Sequence, residues 1–338
     1  MNIKPLLPMF ETIVTKYIGN KMDFVYAAWA EPHRVFHNKS HLFDVLQELY
    51  TQKSLVNDWE FEALVLAAYF HDIIYLPGDK FNEVNSARLM REKFIKTEFL
   101  ESDVVRYAQQ IILDTARIEK DKIGLFKIFQ NADCQGLIYY SFDELLPYEE
   151  AIFKEFQKFS LSDYKQGRVE FLEKASKVFS CNATNLEKVS KYVQNRKYKI
   201  GIYAGSFNPF HFGHLDILLQ AEKIFDKVVI AHGQNPEKEA RNIVIPTTIS
   251  NRENIKYSIL PELLKEYSRM GCEVTLIRGL RNEYDLNYES NLISYIREYF
   301  HNLQVVLLLS NKEYDHLSSS SIRALQKSNL DVSRYIVV

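Results

Sequence analysis

The chain has little glycine (11 residues), little proline (9) and only three cysteines in 338 residues. Scarce glycine and proline exclude collagen-like, low-complexity and long disordered designs. Cys134, Cys181 and Cys272 are odd in number and far apart. They form neither a disulfide framework nor a CxxC zinc site, and they suit a reducing compartment. No run approaches the roughly eighteen apolar residues of a membrane-spanning helix. The opening MNIKPLLPMFETIV is cut by Pro5, Pro8 and Glu11 and has no small-residue cleavage site, so it does not read as a signal peptide. The expected location is the cytoplasm. An excess charge of one sign is also missing: 42 Lys and Arg against 44 Asp and Glu leave a formal charge of −2 at pH 7. That balance argues against coating nucleic acid or an anionic membrane, and leaves local basic pockets for phosphate open.

What is there falls into two textures. In residues 1–195 apolar side chains recur mostly at helical spacing, as in FEALVLAAYF at 61–70 and again at 104–113 and 148–159. Few β-branched alternations interrupt them, so this part reads as all-α. From residue 199 short apolar runs appear at 200–204, 227–231, 273–277 and 304–309, separated by amphipathic stretches at 214–225, 252–270 and 288–300. Strands alternating with helices predict an α/β domain with a parallel sheet covered on both faces. The expected domains are 1–195 and 196–338, joined by a polar stretch at 182–198 that lacks a Gly/Ser linker and predicts a helical or tight connection.

The strongest local signal is GSFNPFHFGH at 205–214, directly after the first strand and before a helix. In that position backbone N–H groups and the positive helix end can hold an anion. Gly213 lets a phosphate approach the backbone, and His211 and His214, three apart, share one side of the first helical turn. Arg278 and Arg281 follow the third strand, where a parallel sheet presents its ligands, and a guanidinium matches phosphate with a planar fork of donors. LSSSSIR at 317–323 follows the fourth strand and reads as a hydroxyl-rich helix start.

Four segments in order, GSFNPFHFGHLDIL (205–218), NPEK (235–238), RGLRNEYDLNYE (278–289) and LSSSSIR, resemble the HxGH nucleotidyltransferase superfamily. They most closely resemble its pantetheine-phosphate adenylyltransferases. The resemblance implies a Rossmann-like fold that transfers an adenylyl group from ATP, with Mg²⁺ on the triphosphate, to a small phosphomonoester. By motif position His214, Lys238 and Arg278 are the catalytic set, with Lys238 and Arg278 on the attacking phosphate. Gly205, Ser206, Phe207, His211, Gly213, Arg281, Glu289, Ser318, Ser319, Ser320 and Arg323 line the ATP and substrate site. The helical pattern at 252–270 leaves no room for an extra strand usual in those enzymes, and GSFNP with SSxxIR is also similar to nicotinamide-mononucleotide adenylyltransferases. That is the alternative acceptor.

In the helical part, FHNKSHL (36–42), LAAYFHDIIY (66–75), FNEVNSA (81–87), NADCQGL (131–137) and YKQGR (164–168) resemble predicted metal-dependent HD-superfamily phosphohydrolases. Imidazole and carboxylate without thiolate suit Mg²⁺ or a divalent transition metal better than structural zinc. The resemblance implies one such ion held by His41, His71, Asp72 and Asp133, with His37 beside them and Glu83 as a general base or water-orienting group. His33 reads as a surface residue. The expected whole is a bifunctional enzyme using ATP and a small phosphomonoester, without nucleic-acid or membrane partners, and a homo-oligomer. A non-hydrolytic HD module that senses nucleotide and regulates the transferase is the alternative for the first part.

Overall fold

The computed structural model describes residues 3–234 and 244–338, the side chain of Tyr284 excepted. Lys238 and the rest of the NPEK run therefore lie outside the described residues. Two compact units divide the chain: Met1–Phe156 with Ser162–Gln194, and Gln157–Leu161 with Asn195–Val338.

The first unit is helical. Its helices are α1 (Leu7–Ile18), α2 (Met22–Ala28), α3 (Lys39–Thr51), α4 (Asp58–Phe70), α5 (Asn82–Leu89), α6 (Asp103–Asp114), α7 (Gly124–Asp133), α8 (Gln135–Tyr139), α9 (Phe142–Glu155), α10 (Leu161–Val178) and α11 (Ala183–Asn195). Local chemistry sets the ends. Asn57 with Glu60 and Ser141 with Glu144 form capping boxes at the starts of α4 and α9, satisfying N–H groups that a helix leaves open. The α4 helix is apolar nearly all round, so it runs through the core and packs against α1, α3, α6 and α7. Truncating one of its large side chains costs roughly 2–5 kcal/mol. Burying α4 to its last residue, Phe70, brings His71 and Asp72 to the edge of that core. The join is helical, as its polar, linker-free composition predicts.

The second unit contains β1 (Lys199–Gly205), α12 (Phe212–Ala221), β2 (Lys227–Gly233), β3 (Asn254–Tyr257), α13 (Leu260–Arg269), β4 (Glu273–Leu280), α14 (Glu283–Tyr299), β5 (Gln304–Leu309) and α15 (Ser319–Lys327). The strands form one parallel sheet in the order β3-β2-β1-β4-β5. Ile202 of β1 stands in register with Val229 on one side and Leu276 on the other. Both central strands are buried, as expected when helices cover both faces. The strand order switches direction between β1 and β4, so their carboxyl ends flank the crevice where such sheets bind ligands. Gly201 permits close packing under that crevice: a Cβ there would stand 2.8 Å from the Phe225 ring.

One expectation is corrected. The pattern at 252–270 predicts a single helix, whereas the chain forms an edge strand, β3, beside β2 and restarts as α13 with Pro261 in its first turn. Four residues are too few to display a readable alternation, and the pairing that makes them a strand comes from Ile230–Gly233, far back in the chain. A strand is therefore present in a stretch expected to hold none.

At the opposite end of the sheet Lys227 is fully buried. Its Nζ lies 3.0 Å from Glu253 Oε2 and donates to the carbonyls of Gln157 (2.5 Å) and Phe159 (2.8 Å). Tyr267 donates to the other Glu253 oxygen at 2.9 Å. The segment Gln157–Leu161 is thereby part of the second unit. No helix among the described residues is long and apolar enough to cross a membrane.

Candidate active sites

In the first unit, the first turn of α3, the residue following α4 and the last residue of α7 converge. His41 Nε2 lies 3.1 Å from Asp133 Oδ1, and His71 Nε2 lies 3.5 Å from the same oxygen. His41, His71 and Asp133 offer ligand atoms all within 4.8 Å of one another. Asp72, the fourth expected ligand, approaches His71 Nε2 at 3.4 Å through Oδ2. His71 Nδ1 donates to the Ala68 carbonyl at 2.9 Å, so the neutral ring that binds a metal carries its proton on Nδ1 and offers the Nε2 lone pair. That Nε2 is buried without a hydrogen-bond partner among the described residues. Burial opposes charge on His71, yet Asp72 and Asp133 outweigh it and push its pKa up to about 9. Burial would also raise Asp133, but its bond to His41 and the nearby His71 imidazole hold it far below the carboxylate range. An orphaned imidazole nitrogen in a field that favours positive charge fits a divalent cation.

The surroundings hold these groups in place. The Arg34 side chain is wholly buried and donates to the carbonyls of Asp72 (2.8 Å), Ile73 (3.3 Å) and His37 (3.3 Å), and to Glu31 at 2.9 Å. Glu155, from the end of α9, accepts three successive backbone N–H bonds, from Val35, Phe36 and His37, on Oε1. Its Oε2 takes His37 Nδ1 at 2.6 Å and the Tyr75 hydroxyl at 2.7 Å. Burial opposes ionisation of Glu155, but His37 and Tyr75 lower its pKa to about 2. His37 lies against the ligand set, its ring 5.6 Å from that of His41. Glu83 is half-buried in the first turn of α5, its carboxyl raised by burial and by Asp72 and Asp79. His33 meets the Tyr75 carbonyl at 2.8 Å rather than standing free. Neither Arg34 nor Glu155 stands out in the sequence; Glu155 reads as one more polar position on an amphipathic helix.

In the second unit the loop after β1 carries the histidine pair. His211 is the N-cap of α12 and His214 its third residue, and their rings stack at 3.7 Å. A Cβ on Gly213 would sit 3.2 Å from the His211 ring, so the glycine makes room for the imidazole as well as for a ligand. Phe207 has φ of 45°, a backbone state that costs roughly 1–3 kcal/mol in a non-glycine residue. Its buried ring packs among Tyr203, Phe210, His214 and His232, so it supports His214 from below. Burial and, secondarily, Arg281 lower His211 to about 4. Burial, together with His211 and Arg281, also lowers His214 well below the usual histidine value. Both imidazoles are neutral at pH 7.

Across the crevice, Arg278 near the end of β4 is clamped by Glu289, with two bonds of 2.6 Å, and also donates to the Ala204 carbonyl. Arg281 pairs instead with Asp285, at 2.7 and 2.8 Å, and with the Leu317 carbonyl. Glu289 therefore orients Arg278 rather than joining Arg281, and Asp285 escaped the sequence reading. Ser318 caps α15, while Ser319 and Arg323 donate to the carbonyls of Pro209 and Asn208 in the histidine loop. Ser320 is exposed beside Ser318, Gly205 ends β1 and Ser206 begins the loop itself.

The cytidylyltransferase-like family profile matches residues 202–325. The chain is 34% identical over 144 residues to the phosphopantetheine adenylyltransferase of Alkaliphilus metalliredigens, covering 41% of this chain and 92% of that one. The enzyme of the same name from Streptococcus gordonii is 34% identical over 145 residues, with 41% and 88% covered. That from Cytophaga hutchinsonii is 33% identical over 144 residues, with 41% and 96% covered.

Proposed function

We propose, from the premise that this chain belongs through its C-terminal part to the phosphopantetheine adenylyltransferase family, that its second unit transfers the adenylyl group of ATP to 4′-phosphopantetheine. A phosphate oxygen of the acceptor attacks the α-phosphorus, the bond to the β-phosphate bridging oxygen breaks, and pyrophosphate leaves. The observation that carries this reading is the stacked pair His211 and His214 at the start of α12, facing the crevice flanked by Arg278 on β4. The nucleophile is already an anion, so no protein base is needed; positioning and charge neutralisation carry the rate. In this reading His214 meets the charge that grows at the α-phosphate, Arg278 and Lys238 hold the attacking phosphate, and the 318–320 hydroxyls with Arg281 and Arg323 face the leaving group. Mg²⁺ accompanies the triphosphate, largely water-ligated.

The test is pyrophosphate release from ATP and Mg²⁺ with 4′-phosphopantetheine, with nicotinamide mononucleotide and with neither, alongside His214→Ala. Release with phosphopantetheine alone, abolished in the variant, is the expected result. Release with the mononucleotide alone moves the assignment to that acceptor.

For the first unit the reading is a metal-dependent phosphohydrolase, supported by the orphaned His71 Nε2 beside His41 and Asp133. His41, His71, Asp133 and Asp72 would hold a divalent ion, whose chemistry is to polarise a phosphoryl oxygen and acidify a water. Metal analysis followed by a screen of phosphomonoesters and nucleotides tests it. Stoichiometric metal without hydrolysis of any of them replaces this reading with a sensing module.

A further inference from the structure

The histidine loop has an unusual backbone problem. Phe207 turns into the left-handed region, and the carbonyls of Asn208, Pro209 and Phe210 then follow one another outside any strand or helix. Carbonyls partly withdrawn from water and outside regular structure need donors elsewhere, and all three find them in the stretch after β5. Arg323 donates to Asn208, Ser319 to Pro209 at 3.0 Å and the Val337 N–H to Phe210 at 3.3 Å. His211 itself pairs with Ile336 in an isolated antiparallel bridge. The Val337 side chain is 4% exposed and belongs to the same apolar cluster as Phe207, Phe210 and Ile249. Beyond it, the Val338 carbonyl accepts from Thr248, from the backbone N–H at 3.2 Å and from Oγ1 at 2.5 Å.

We infer that residues 336–338 are a positioning element of the nucleotidyl-transfer site, which sets the imidazoles of His211 and His214 by fixing the loop that carries them. These residues touch no reacting atom. They act through Phe210 and His211 on one side, and they anchor that grip on the turn at Thr247–Ile249, just ahead of β3. Ser319 and Arg323 brace the same loop from α15. One stretch of chain thus satisfies every carbonyl of the loop between Phe207 and His211. The consequence is kinetic. A displacement of about 1 Å in a positioning group can cost on the order of a hundredfold in rate while ground-state binding barely changes.

The inference rests on the adenylyltransferase reading for its kinetic readout and not for its structural one. Two variants of the full chain test it: removal of residues 336–338, and Val337→Ala, with Val337→Ile as the conservative control that keeps the apolar contact. Expected are a fall in kcat of about tenfold or more for the deletion and several-fold for Val337→Ala, an ATP dissociation constant within about threefold of the parent, and recovery in Val337→Ile. The imidazole NMR signals of His211 and His214, assigned by substitution, move in Val337→Ala whether or not any acceptor is turned over. Unmoved imidazole signals, or kcat and ATP affinity falling in parallel with the melting temperature, overturn the inference. If the deletion fails to fold, Val337→Ala decides. A parent chain that releases no pyrophosphate, with imidazole signals that do move, counts against the adenylyltransferase reading and not against the positioning role.

Discussion

His37 Nδ1 stands 2.6 Å from Glu155 Oε2, across 118 residues of sequence, while the other oxygen of the same carboxylate gathers three backbone N–H groups from the loop that precedes α3. A single buried charge therefore sets both the imidazole and the entry of the helix that carries His41. Replacing it with a neutral amide removes the charge assistance from all five bonds. Glu155→Gln is expected to destabilise the first unit by about 2 kcal/mol or more, read by denaturant unfolding. It is also expected to lower any phosphohydrolase activity more than metal content.

The metal reading makes a prediction that needs no substrate. Asp133→Asn and His71→Gln are expected to lose stoichiometric divalent metal in elemental analysis, while adenylyl transfer persists. Chelation of the parent protein is expected to lower its melting temperature, because an ion that binds only the folded state stabilises it by mass action. A parent protein that carries no metal after equilibration with Mn²⁺, Fe²⁺, Co²⁺ and Mg²⁺ would end this reading.

Lys227 and Glu253 form a buried pair in which each needs the other. Burial lowers the Lys227 pKa and Glu253 raises it again, with burial the stronger. Lys227→Met leaves the Glu253 carboxylate uncompensated and is expected to cost about 3–5 kcal/mol. A fragment of residues 196–338 lacks the Gln157 and Phe159 carbonyls that the ammonium bonds. It is expected to melt below a fragment of residues 157–338, measured by calorimetry.

The histidine pair predicts a pH dependence. His211 has a folded pKa of about 4 against 6.5 when unperturbed, because burial disfavours its charge. Below 6.5 the unfolded chain takes up a proton that the folded chain refuses, so stability is lost as pH falls from 6.5 toward about 4. The nucleotide-free protein is expected to melt progressively lower over that window. His211→Asn, which cannot titrate, should show a shallower decline. Equal slopes for the two proteins would contradict the assignment.

Much of this molecule is legible locally. Helical spacing in 1–195 and apolar runs after 199 announce a helical part and a parallel sheet. The GSFNPFHFGH loop carries its own turn, cap and helix start within ten residues. The resemblance carried by FHNKSHL, LAAYFHDIIY and NADCQGL implies His41, His71, Asp72 and Asp133 as one set, and folding brings ligand atoms of His41, His71 and Asp133 within 4.8 Å of one another. The misreading at 252–270 has the same logic in reverse: a four-residue edge strand has too little pattern of its own and becomes a strand only by pairing with β2.

The sequence by itself determined the elements other than β3, the two textures and the residue types at each site, because periodicity, capping and turn chemistry act over a few residues. Only the tertiary structure decided the partners. It placed Glu155 on His37, gave Glu289 to Arg278 and Asp285 to Arg281, set Val337 against the histidine loop, and buried Lys227 on carbonyls about seventy residues before it. A polar side chain looks the same in sequence whether solvated or buried. Removal from water forces it to find one specific partner, and folding alone determines which group is within reach.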